Sequence, residues 1–142
     1  MKAMLSVVVA ISFQATATAA TNYEVNCPPS VIPAELVKSS PAGWQAQLPL
    51  DLSDPHRQRS RPELQLLAQE PSMGRPPAVL MPDNAGTAER DHHYVWHFNG
   101  DASIWVSCAY ADRIRLFQTV PGRVHMCQTK PHSTVACSVS PD

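Results

Sequence analysis

Fourteen prolines run from Pro28 to Pro141. Each removes a backbone donor and breaks a helix interior. At near one residue in ten, about twice ordinary usage, they rule out a helical bundle and leave short extended segments separated by turns. A hydrophobic fraction of 44% over 142 residues is enough for one packed core and excludes a wholly disordered chain. The formal charge of -1, with 16% charged residues, argues against a nucleic-acid binder that neutralises phosphates.

No proline falls in residues 1–20, which have a different texture. Lys2 supplies a positive start. Met4 to Phe13 is a short apolar run around Val7, Val8, Val9 and Ile11. Ala15 to Ala20 is small-residue, with Ala17-Thr18-Ala19 matching the cleavage rule of a secretory signal peptide. Cleavage is expected after Ala19 or Ala20. The apolar run falls short of the ~20 residues a spanning helix needs, and no later segment is long and apolar enough to span. Glu24-Val25-Asn26 before Cys27 is unlike a lipoprotein signal. Residues 21–142 are therefore expected as a single exported domain, periplasmic or secreted. Without Lys2 it carries 10 positive and 12 negative side chains, 10 − 12 = -2.

Cys27, Cys108, Cys127 and Cys137 all follow the signal segment. An even count in an oxidising compartment implies two disulfides. A hairpin centred on Lys130-Pro131-His132-Ser133-Thr134 would set Thr129 opposite Val135 and Cys127 opposite Cys137, close enough to bridge. That favours Cys127–Cys137 with Cys27–Cys108. The rival joins Cys108 to Cys127 and Cys27 to Cys137. No C-x2-C spacing suggests zinc.

The expected fold is all-β and mainly antiparallel, a small two-layer or partly closed β-domain. Residues 21–42 are Pro/Ser-rich, with Val31–Val37 as a helical turn or edge strand. Gly43–Leu50 and Glu63–Gln69 read as strands. Arg57, Arg59 and Arg61 read as a solvated loop, and Pro71–Gly86 as a loop or crossover. Tyr94, Trp96 and Phe98 alternate with His93, Val95 and His97. Ile104, Val106, Cys108 and Tyr110 alternate with Ser103, Trp105, Ser107 and Ala109. Asn99-Gly100 between them predicts a hairpin. A loop ending on Gly100 would put Tyr94 and Trp96 on the face of Ile104 and Val106, the more apolar choice. Ile114–Val120 and Arg123–Gln128 around Pro121-Gly122 read as a second hairpin, and Thr134–Val139 as the last strand.

Chemistry is sparsely marked. His93 and His97 share a strand side about 13 Å apart by strand rise, too far for one ion. A metal site would need His125 or His132 brought in by the fold. No G-x-S-x-G, H-E-x-x-H or P-loop pattern occurs. Glu63, Glu70, Asp83 and Asp101 could pair only through the fold. Trp105, placed by the expected hairpin beside Val95 and His97, joins His93 and His97 as a candidate binding surface. The reading is a non-enzymatic protein without cofactor or metal, binding an envelope or extracellular partner. A histidine-based metal-binding protein is the alternative, and a small secreted hydrolase the second.

Cys27-Pro28, Gly43-Trp44, Gly74-x-Pro76, Leu80-x-Pro82, Trp96, Trp105-x-x-Cys108-x-Tyr110, Leu116, Val120-Pro121 and Cys127 follow in that order. This order resembles the STY-type uncharacterised family of small exported bacterial proteins. The resemblance implies a bacterial exported protein with no assigned activity. Its recurrent cysteines match Cys27, Cys108 and Cys127, which strengthens the rival Cys108–Cys127 pairing.

Overall fold

The structure is a computed structural model and describes residues 20–53, 62–73, 80–85, 93–99 and 102–141. The signal segment at 1–19, the arginine stripe at 57–61, His92 and the Gly100-Asp101 pair lie outside the described residues.

The fold is mainly antiparallel β. The strands are β1 (Thr21–Asn26), β2 (Ser30–Val31), β3 (Gln45–Gln47), β4 (Leu64–Met73), β5 (Val95–His97), β6 (Ile104–Tyr110), β7 (Arg115–Thr119), β8 (Arg123–Lys130) and β9 (Thr134–Ser140). A single helical turn, α1 (Pro33–Leu36), follows β2. Pro33 starts it where no donor is required, and Ile32 before it is extended, as a residue preceding proline prefers. One sheet has the order β1-β9-β8-β5, the other β2-β4-β6-β7-β3.

The two sheets share a core. Val25, Trp96, Val124, Cys127, Val135, Cys137 and Val139 of the first pack with Ile104 and Val106 of the second. Further along β6 the same face continues as Cys108 and Tyr110, packed with Cys27, Leu36, Leu52, Ile114 and Leu116. Burying each such aliphatic side chain contributes roughly 1.5–3 kcal/mol. The disulfides are Cys27–Cys108 and Cys127–Cys137. The favoured pairing is therefore the one formed, and the Cys108–Cys127 rival is not.

The β8–β9 hairpin has the expected register, with Cys127 opposite Cys137 and Thr129 opposite Val135. The other two expected hairpins are corrected. β5 pairs with β8, while β6 pairs with β4 and β7. The chain therefore crosses between sheets after Phe98 instead of turning back. It crosses again at Pro121-Gly122, because β7 pairs with β6 and β3 whereas β8 pairs with β5 and β9. A further hairpin joins β6 to β7 through Ala111–Arg113. Asp112 and Arg113 there hold φ of 60° and 61°, the left-handed pair that matches strand twist in a tight hairpin. Trp96 still shares a core with Ile104 and Val106 as patterning expected, but across the two sheets.

Two boundaries also move. β1 forms in the segment read as Pro/Ser-rich, pairing residue by residue with β9 from Thr21–Val139 to Asn26–Thr134. β4 runs on through Pro71 to Met73. Pro71 is tolerated because its backbone faces away from β6: its carbonyl accepts from Leu80 N–H at 3.3 Å on the outer edge, so the missing donor costs no ladder bond.

Candidate functional site

Between β4 in one sheet and β5 in the other lies an open groove of about 560 Å³. Leu66 to Glu70 form one wall, Tyr94, Trp96 and Thr129 the other, and Leu80, Met81 and Pro82 its rim. The lining is mostly apolar. Trp96 is fixed by burial and by its indole N–H, which donates to Leu80 carbonyl at 3.1 Å. Tyr94 leans on Trp96 with ring centroids 6.1 Å apart. Its backbone N–H donates to Thr129 Oγ1 at 2.8 Å, and Thr129 N–H returns a bond to Tyr94 carbonyl at 2.9 Å. Leu67 and Met81 are 69% and 80% exposed at the groove. The side-chain carbonyl of Gln69 is buried at the groove with no hydrogen-bond partner among the described residues, a costly state for a desolvated acceptor.

The two edges flanking the groove differ. Along β5, Asn84 acts as a substitute peptide group: its Nδ2 donates to His93 carbonyl at 2.7 Å and its Oδ1 accepts from Val95 N–H at 2.9 Å. Asp83 N–H donates to Val95 carbonyl at 2.8 Å. Asp83 Oδ2 accepts from His97 N–H at 2.7 Å and from the ring Nδ1 at 2.8 Å. The bonds from the His97 side chain and backbone hold the Asp83 carboxyl below its ordinary value of 3.8. This edge is closed, as exposed edges generally must be. Along β4, Leu66 N–H donates to Pro29 carbonyl at one end and Pro71 carbonyl accepts from Leu80 at the other. Between them, Leu67–Glu70 faces the groove with no strand beside it among the described residues.

The residues singled out from the sequence fall in separate places. His93 is exposed, with Nε2 3.3 Å from Gln128 Oε1. His97 is exposed and engaged by Asp83. Trp105 lies in the other sheet, half-buried, edge-on to Phe117 at 5.5 Å, so the placement beside Val95 and His97 is corrected together with the hairpin that implied it. On Trp105's side of that sheet, Arg115 reaches Glu70 at 3.8 Å and Ser107 Oγ at 3.4 Å. Glu63 accepts from the Ser30 hydroxyl, and His125 Nε2 lies 2.8 Å from Ser140 Oγ. Glu63, Glu70 and Asp83 thus each have a different partner, and Asp101 lies outside the described residues. Among the described residues no group of three His, Cys, Asp or Glu side chains is placed to hold a metal ion. No helix among them is long and apolar enough to cross a membrane. The groove itself escaped the sequence reading, because its walls come from segments 24 (94 − 70) to 63 (129 − 66) positions apart and no local pattern marks Gln69 or Thr129.

Residues 62–140, from the start of β4 to the end of β9, match the type VI secretion system Tli immunity protein family. The chain belongs to this family. The matched span holds both walls of the groove, the Trp105-x-x-Cys108-x-Tyr110 element, and one complete disulfide. No curated protein and no solved structure matches the chain. An immunity protein acts on a partner, so a partner-binding role is the coarse function of this β-domain.

Proposed function

We propose that the protein is an exported immunity factor. It binds an effector toxin of a type VI secretion system in the periplasm and blocks it, with no catalysis of its own. The family match over 62–140 carries this reading. Two features support the address. Residues 1–20 have the build of a signal peptide, leaving 21–142 as one domain. The two disulfides suit an oxidising compartment. The resemblance to the STY-type exported family points the same way.

The test is protection. The cognate type VI effector is directed to the periplasm of a susceptible cell, with or without the protein. Cells making the full chain should grow, and cells making it without residues 1–20 should not. Killing in the presence of the exported chain would sink the reading.

A further inference from the structure

We propose that the free edge of β4 from Leu67 to Glu70 receives an extended strand of the effector, with the adjoining groove taking an apolar side chain of that strand. The inference rests on the immunity reading above and adds the surface and the binding mode.

Three observations carry it. The first is backbone direction. Pro71 carbonyl faces away from β6. In a strand the N–H and C=O of one residue point the same way and alternate along the chain, so Gln69, two residues earlier, also faces the free edge. It offers one donor and one acceptor to an incoming strand. The second is the contrast with β5, whose edge is closed by Asp83 and Asn84. On the β4 side of the groove, among the described residues, no strand lies beside Gln69. The third is the orphan acceptor. Among the described residues Gln69 Oε1 is buried without a partner, and an arriving N–H would satisfy it. Strand addition supplies these elements together: main-chain hydrogen bonds for affinity and pockets for alternate side chains. The exposed side chains of Leu67 and Met81 are then the lips that close over the guest.

The experiment titrates the purified protein, both disulfides formed, with the purified type VI effector against which it protects. Leu67→Arg with Met81→Arg should weaken binding at least about tenfold without moving the melting midpoint, since both side chains are mostly exposed. Gln69→Leu should raise the melting midpoint, because it removes an unsatisfied acceptor, and yet weaken binding. In the complex, amide exchange at Gln69 should slow. Variants that bind as the wild type does, with Gln69 exchange unchanged, would overturn the groove and leave the immunity reading standing. A wild-type protein that does not bind the effector would remove both. A concentration-dependent dimer abolished by the double variant would assign the edge to a second copy and overturn the proposal.

Discussion

Residues 20–53 and residues 62–140 play different parts in one fold. The family-matched span builds β4-β6-β7, the interior of one sheet, and β9-β8 with the edge strand β5 in the other. The segment before it adds β1, β2 and β3, which are three of the four outermost strands. It is a border laid around a centre. The two disulfides follow the same division. Cys127–Cys137 lies inside the matched span and staples a hairpin already zipped by its own register. Cys27–Cys108 sews the border to the centre across a sequence separation of 81.

This division is breakable in order of effect. Replacing Cys27 and Cys108 by alanine frees the longer loop and should cost about 4–5 kcal/mol by loop entropy, against about 2–3 kcal/mol for Cys127 and Cys137, whose separation is 10. Urea unfolding of the two double variants checks this, and equal losses would erase the distinction. Next comes the crossing at Gly122. Its φ is +75°, and a Cβ there would lie 2.6 Å from the Ser140 carbonyl oxygen. Gly122→Ala should therefore cost roughly 2–3 kcal/mol in thermal unfolding.

A smaller effect is expected where border and centre are joined by one hydrogen bond. The buried Tyr110 hydroxyl donates to Pro28 carbonyl at 2.7 Å. Tyr110→Phe should cost about 1–2 kcal/mol in urea unfolding. Burial pushes the Tyr110 phenol up to about 12. The unfolded chain ionises this group near 10, so wild-type stability should fall as pH rises from 10 towards 12, and the phenylalanine variant should lose that dependence. The smallest effect is at the β5 edge. The lowered Asp83 carboxyl stabilises its contacts above 3.8, a contribution lost as pH falls through the lowered value. The His97 amide resonance should titrate with a midpoint below 3.8, and Asp83→Asn should abolish the titration.

What was legible in the sequence was local. The β8–β9 register and its disulfide follow from a ten-residue spacing around one turn. The inward side of β5 and β6 follows from alternation, whichever strands they pair with. What was illegible was set by distant partners. Asn99-Gly100 is a strong hairpin signal, yet β6 takes β4 and β7 on its two sides and β5 takes β8. The left-handed positions at the β6–β7 tip are held by Asp112 and Arg113, which mark a turn less strongly than glycine does. β1 was missed because it is an edge strand with only Val25 fully buried. The candidate surface was scattered for the same reason: Trp105 and His97 are neighbours only if their strands pair.

The pairing of β1 with β9 has a temporal consequence. Asn26 and Thr134, joined side chain to side chain at 2.6 Å, are 108 positions apart, and Glu24 meets Lys130 across 106. Contacts this distant demand loop closure before they return any stabilisation, which slows folding. The first strand must wait for the last. Until the C-terminal hairpin is in place the chain has no finished four-stranded sheet, and it stays threadable for as long as its tail is withheld.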